Sequence, residues 1–411
     1  LYFIKNKCYI IKKTVHMEED MTRYEEFDSL RGLAALIVLI GHYLMVYPSY
    51  ANYQYGSNSS YIIYLFKETP LRLFFSSGNE SVILFFVLSG FVLYLSVNSA
   101  KFHYSTYLIK RVFRIYIPYL IAIGMAILAK MLLSQIDLPF ITDWFNKSWT
   151  GPDTPSLLIE HLLFIGQYNT DAYNNVIWSL VHEMRISIIF PLLIFLFIRK
   201  KLKDSLLWLF VLIFSSTLFL YLFGSNVDIT SILLSFHYCT LFLMGAIIAK
   251  YRHELFAYTL KMKKPVKIAL LLGAITCFMY EGIIGEVDFL NNYIFRDYVV
   301  SCGVCIFIFM SVSSKKVSKI LRSRMLTLLG KISYSLYLYH LISLFSMMYL
   351  FYNKLPTVLI LIFSFFFSFL LSTASYLLVE KPCMKLGTYF TRNKQEKGIS
   401  KDHLALKRKI G

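Results

Sequence analysis

The sequence predicts an all-α fold: a polytopic integral membrane bundle of about ten transmembrane helices, with both termini cytoplasmic. Three observations predict it. Of 411 residues, 57% are hydrophobic and only 16% charged, with a mean hydropathy of +0.58, whereas soluble domains carry about 25% charged residues. Apolar runs of lipid-crossing length recur along the whole chain. The short segments between them are alternately basic and non-basic. The 36 Phe and 31 Tyr fit the same class, because aromatic rings collect at membrane interfaces.

A crossing helix needs about 20 mainly apolar residues. Such stretches lie at 30–47, 81–97, 112–133, 177–198, 205–223, 230–249, 267–284, 296–313, 332–352 and 356–379. The segment 155–167 is apolar but short, and reads as re-entrant or interfacial. Lys101, Lys110 and Arg111 follow the second span, and Arg199, Lys200, Lys201 and Lys203 the fourth. Lys250, Arg252, Lys261, Lys263 and Lys264 follow the sixth, and Lys315, Lys316, Lys319, Arg322 and Arg324 the eighth. The alternate loops are acidic: Asp137, Asp143, Asp153, Glu160 and Asp171 after the third span, Glu281, Glu286 and Asp288 after the seventh. By the positive-inside rule this alternation puts both termini in the cytoplasm and makes the number of crossings even.

Three regions follow: a cytoplasmic N-terminal segment at 1–26, one membrane domain at 27–390 and a basic cytoplasmic tail at 391–411. Segment 1–26 lacks the uninterrupted apolar stretch of a signal peptide. Met17 and Met21 are alternative starts, so 1–20 is given no functional weight. The tail after Pro382 is expected to be too short for a second catalytic domain, and its charge suits an anionic inner leaflet.

The net charge of +18 would suggest nucleic acid in a soluble protein. Here the basic residues sit between apolar runs, so membrane lipid is the expected partner and nucleic acid is not. Cys302 and Cys305 form a CxxC, but inside an apolar run and with no second pair, so packing is expected rather than metal or redox work. No metal is expected.

Ionisable residues inside spans are costly and mark functional sites by default. In the first span Arg31 and His42 are eleven residues apart. At about 100° per residue they share a face, about 16 Å apart along the axis. Arg31 reads either as an anchor that snorkels to the interface or as a functional charge. His42 reads either as a hydrogen-bonded core histidine or as a general base, since imidazole titrates near neutral pH. Arg111 and Arg114, at i and i+3, are expected to share a helix face at the cytoplasmic surface. They would be positive-inside anchors or a clamp for an anionic ligand, because guanidinium forks match phosphate oxygens two at a time. Glu183 is expected to pair with Arg185 or His42, or to line a polar cavity. For His237 and His340, packing and hydrogen bonding are expected.

The chain resembles the acyltransferase-3 family of membrane O-acyltransferases, which is common in bacteria. The resemblance rests on six segments in order, over roughly 27–390. These are Asp28-Ser29-Leu30-Arg31-Gly32-Leu33-Ala34 with His42, Phe85-Phe86-Val87-Leu88-Ser89-Gly90-Phe91, and Arg111-Val112-Phe113-Arg114. Trp178-Ser179-Leu180 with Glu183, Ser333-Tyr334-Ser335-Leu336-Tyr337-Leu338 with His340, and Val379-Glu380-Lys381-Pro382 complete them. The chain departs from the family at Met184-Arg185, where polar and aromatic residues are usual, which bears on acceptor fit.

The resemblance implies a plasma-membrane enzyme with acyl-CoA, usually acetyl-CoA, as donor. It implies a hydroxyl acceptor on a cell-surface or lipid-linked carbohydrate. On this reading Arg111, Arg114 and Arg31 hold the donor phosphates, and Asp28 orients Arg31. His42 is the general base, and Glu183 orients His42 or binds the acceptor. The alternative is a transporter or flippase for a lipid-linked glycan, which needs buried charge but no cytosolic phosphate clamp below an intramembrane base. A scaffold without activity accounts for neither Arg31 nor His42.

Overall fold

The computed structural model describes residues 24–54, 60–100, 102–133, 138–166, 168–198, 200–284 and 292–391. Most of the N-terminal segment 1–26 and of the tail 391–411 lies outside these residues, as do the loop residues Lys101, Asp137, Arg199, Glu286 and Asp288. The long helices are α1 (Glu25–Leu44), α2 (Gly78–Val97), α3 (Tyr104–Leu133), α4 (Ile177–Ile198), α5 (Leu202–Phe223), α6 (Val227–Lys250), α7 (Lys264–Phe278), α8 (Tyr293–Ser313), α9 (Arg324–Phe351) and α10 (Thr357–Thr391). No strand occurs among the described residues, and nine of these helices are long and apolar enough to cross a membrane.

The exception is α7. It has 15 residues and breaks at Met279 before a short helix, Tyr280–Ile284. Fifteen residues rise about 22 Å, short of the roughly 30 Å of hydrocarbon. The segment 155–167 contains a nine-residue helix, Pro155–Leu163, held against α3 by the Tyr119 hydroxyl, which donates to the His161 carbonyl at 3.0 Å.

Several helices run past their apolar stretch because polar partners extend them. The first turn of α1 carries Glu25, Glu26 and Asp28, negative charge where the helix dipole favours it. Glu25 pairs with Arg322 at 3.0 Å, Glu26 accepts from Ser318 at 2.5 Å, and Ser29 donates to the Leu321 carbonyl at 2.5 Å. These bonds fasten the start of α1 to the helix Lys315–Leu321. Lipid-facing surface is most evident on α5, where Leu207, Phe210 and Phe214 are exposed while Ser205, Leu209, Ser216 and Leu220 face inward.

Lipid tails are as apolar as leucine, so helix association here depends on close packing and interhelical hydrogen bonds. α1 and α9 run parallel, with Gly32 against Gly330 near their starts and His42 against His340 ten residues on. A Cβ on Gly32 would lie 2.6 Å from the Gly330 nitrogen. α2 and α6 meet as closely: a Cβ on Gly90 would lie 1.9 Å from the Phe242 carbonyl oxygen, and one on Gly245 1.9 Å from that of Val87. α10 turns Ser364, Ser368 and Ser372, all fully buried, toward α1 and α9. The Tyr43 hydroxyl reaches Ser364 and Ser368, each at 2.7 Å.

Two helices contain a wide π turn: Val112–Tyr116 in α3 and Tyr376–Glu380 in α10. Each stands just before a residue followed by proline, Ile117-Pro118 and Lys381-Pro382. Proline lacks an N–H and its ring collides with the carbonyl four residues back. The preceding turn therefore opens, and the N–H of Ile117 bonds Val112 as that of Lys381 bonds Tyr376, five residues back.

A second polar group lies apart from these turns. Buried Arg72 bonds Glu80 at 3.2 Å and also contacts Glu281. Arg296 pairs with Asp297 at 3.3 Å, and fully buried His237 sits between Asp297 at 3.2 Å and the Tyr298 hydroxyl at 3.1 Å. His237 thus has the hydrogen-bonded core role read for it.

The glycine contacts generate a test. Gly90→Ala is expected to destabilise the protein by at least about 1–3 kcal/mol, the usual penalty of overpacking. Gly273→Ala, where a Cβ meets nothing within 4 Å, is expected to be neutral or slightly stabilising. Thermal unfolding of both variants in the same detergent reads the difference.

Candidate active site

The starts of α1, α3 and α9 meet the ends of α2, α6 and α10 at one end of the bundle, and a cavity of about 710 Å³ opens among them. Its charged lining includes Asp28 and Arg31 from α1, Arg111 and Arg114 from α3, Glu183 from α4 and Glu380 from α10. Each of the sequence-identified residues except His42 is therefore on one wall or another of the same space. A cluster of three guanidinium groups and three carboxylates inside an apolar bundle is costly unless the groups face water, one another or a ligand.

Their partners differ. The Arg111 Nη2 donates to Glu183 Oε1 at 2.9 Å and to Ser187 Oγ at 2.6 Å, and Ser89 donates to the same Glu183 oxygen at 3.2 Å. Glu380 accepts from Ser335 at 2.7 Å. Arg31 and Arg114, by contrast, hydrogen-bond to no described residue, and both face the cavity. Arg114 is exposed, and the surface it exposes is cavity wall.

Of the alternatives read for Glu183, it lines the polar cavity; it does not bond His42 or Arg185, and its basic partner is Arg111 on another helix. Arg185, two residues and about 200° further round α4, turns away and donates to the carbonyls of Ile165 at 2.8 Å and Gly166 at 2.6 Å and to Ser235 at 2.9 Å. Arg111 and Arg114 lie within α3, seven and ten residues after its start at Tyr104, and both line the cavity. Their partners differ: a π turn begins at Val112 between them, and of the two Arg111 reaches Glu183.

His42 stands further along α1. Its Nδ1 lies 2.9 Å from Nε2 of His340, whose own Nδ1 lies 2.9 Å from the Leu336 carbonyl. A carbonyl only accepts, so the His340 Nδ1 carries a proton and, in the neutral ring, its Nε2 accepts. His42 then donates from Nδ1, which leaves its Nε2 lone pair bare. No described residue bonds that nitrogen, and the ring is only half-buried. Trp144 lies parallel to it within 11°, with ring centroids 5.3 Å apart. Trp144 comes from the four-residue helix Asp143–Asn146, where Thr142 caps the turn and donates to the Met45 carbonyl at 2.8 Å.

Between Arg31 and His42, the inner cavity wall carries Ser179 and Tyr337, whose hydroxyls are 2.7 Å apart. Tyr337 precedes His340 by one turn of α9 and its ring centroid lies 6.0 Å from that of the histidine. His340, read from sequence as a packed and hydrogen-bonded residue, is one, and its partner is His42. It stood in a quoted motif, but nothing in its own helix distinguishes it from His237. Trp144 had no signal, since it lies in a polar loop and reaches the site only by the fold of 138–149. Among the described residues no group of three or more His, Cys, Asp or Glu could hold a metal ion.

Comparison with curated proteins gives no significant match, and neither does comparison with solved structures. Residues 24–377 match the acyltransferase domain that defines the acyltransferase-3 family. That match takes in every residue of the cavity cluster except Glu380, together with both histidines and Trp144. The chain therefore belongs to the acyltransferase-3 family and is a membrane acyltransferase.

Proposed function

We propose that the protein transfers an acyl group, usually acetyl, from acyl-CoA to a hydroxyl of a cell-surface or lipid-linked carbohydrate, with His42 as general base. The observation that carries this reading is the pair of guanidinium groups, Arg31 and Arg114, that hydrogen-bond to no described residue and face one cavity. Their forks suit the diphosphate of CoA. The Arg111–Glu183 pair, braced by Ser89 and Ser187, holds the neighbouring wall. Asp28, one turn before Arg31, lines the same space and opposes its charge. The charge alternation of the loops supports a cytosolic position for the open end of this cavity, on the side of the donor.

From Arg31 the pantetheine arm runs along α1, past Tyr337, toward His42 about 16 Å away. His42 Nε2 takes the proton of the acceptor hydroxyl as its oxygen attacks the thioester carbonyl carbon. The C–O bond forms, the C–S bond breaks, and the departing thiolate takes the proton back from Nε2. Base and acid are then one atom, and no proton is gained or lost. His340 fixes the tautomer this requires. Trp144 stacks beside the imidazole, where the transient positive charge is favoured by an aromatic face.

Three outcomes test the reading, each with radiolabelled acetyl-CoA and membranes holding the native acceptor. His42→Ala is expected to lower transfer by at least about a hundredfold, the usual contribution of a general base, with unfolding temperature unchanged; retained activity refutes the assignment. His340→Ala is expected to lower kcat with little change in KM for the donor. Arg114→Gln is expected to raise that KM by about 10- to 100-fold, the value of a charge-assisted bond.

The prolines give a separate test. Pro118→Ala lets the α3 turn close, and is expected to stabilise the helix by up to about 3 kcal/mol while weakening donor binding, because Arg114 rotates with the turn. A variant both more heat-resistant and poorer in acetyl-CoA affinity is the expected result; an unchanged affinity would separate Arg114 from the donor.

A further inference from the structure

The cavity is longer than its arginine cluster. Its outer end is lined by Tyr24 before α1, Ser96 and Ser99 at the end of α2, and Arg252 just after α6. Along α2, Ser96 is seven residues beyond Ser89, which bonds Glu183, a rise of about 10 Å. Along α1, Tyr24 is seven residues before Arg31, the same distance. Arg252 lies near Tyr24 in the same lining. The guanidinium of Arg252 therefore stands about 10 Å nearer the open end than those of Arg31 and Arg114.

The charge balance of the two levels differs. The inner level sets three carboxylates against its arginines, with Lys331 adjoining it beside Gly330, which touches Asp28. Arg252 forms no ion pair with any described carboxylate; its Nη1 donates to the Ala249 carbonyl at 2.8 Å, and Tyr24 and Tyr94 lie near it. The half-buried side chain is thus held in place at one corner and keeps donors for a ligand.

We infer that Arg252 is a second phosphate subsite, which takes the 3′-phosphate monoester of the donor's adenosine and so selects complete acyl-CoA over its 3′-dephospho form. The inference rests on the acyl-CoA reading above. An acyl-CoA carries phosphorus in two places, the diphosphate after the pantetheine arm and the monoester on the ribose beyond it. With the thioester toward His42 and the diphosphate at Arg31 and Arg114, the monoester falls toward the open end. A phosphate monoester carries about −1.5 to −2 charge at neutral pH, more than each phosphate of the diphosphate, and calls for a cation of its own. Arg252 is the lining arginine at that level.

The test measures equilibrium binding of acetyl-CoA and of 3′-dephospho-acetyl-CoA to the purified full chain in phosphatidylcholine nanodiscs. The native protein is expected to bind acetyl-CoA at least tenfold more tightly. Arg252→Gln is expected to lower acetyl-CoA affinity to the dephospho level and leave dephospho affinity unchanged, which also shows that the variant is folded. Arg114→Gln is expected to weaken both ligands by a similar factor and keep their ratio. Equal binding of the two ligands by the native protein overturns the subsite, as does a ratio that survives Arg252→Gln or vanishes in Arg114→Gln. If neither ligand binds the native protein, the donor reading itself falls, and the subsite with it.

Discussion

The backbone contact between α1 and α9 is the constraint on which the rest of the site depends. Gly32 and Gly330 let two parallel helices approach until the place a Cβ would take on one is occupied by the other's backbone. From that contact the register of both helices is fixed. Arg31 falls beside the crossing and faces the cavity, and ten residues on His42 meets His340. A side chain at either glycine would push the helices apart and lengthen the 2.9 Å bond that sets the histidine tautomer. Stability and chemistry are joined at this point because the same register serves both.

Electrostatics imposes the second condition. Charged side chains survive inside an apolar bundle only when they are paired or face a polar space. The inner cavity does both: Arg111 is held by Glu183 and Ser187, and Arg31 and Arg114 are left facing the space. In the second polar group, each of Arg72, Glu80, Arg296 and His237 contacts an ionisable partner of opposite sign. That contrast, rather than the mere presence of charge, separates a place for a ligand from a structural network.

Much of this was legible in the chain, because helical periodicity is a short-range property. The shared face of Arg31 and His42 follows from eleven residues and the pitch of a helix, and loop charge alternation tracks the successive apolar runs. What needed the fold was long-range pairing. Nothing near Glu183 in sequence names Arg111, and nothing near His42 names His340. The π turn in α3 is an intermediate case: Pro118 was visible, but the expectation that Arg111 and Arg114 share a face assumed regular α geometry through it. Span boundaries erred toward shortness, as at α1 and α3, since apolarity alone ignores the polar turns that capping and ion pairs add. The seventh span erred the other way, because hydropathy does not register a helix break at Met279.

The two glycine crossings also divide the bundle into parts that can and cannot move. Backbone packed on backbone leaves no flexible side chain to absorb a shear, so α1 with α9, and α2 with α6, behave as two stiff pairs. The cavity lies between contributions from both pairs, from α3 and α4, and from the far end of α10. Admission of a second substrate cannot come from loosening either pair. It has to come from the elements seated on them through side chains: the 138–149 segment, which meets α1 through Thr142 and Trp144 and α9 through Phe145 and Trp149, and α3 at its widened turn.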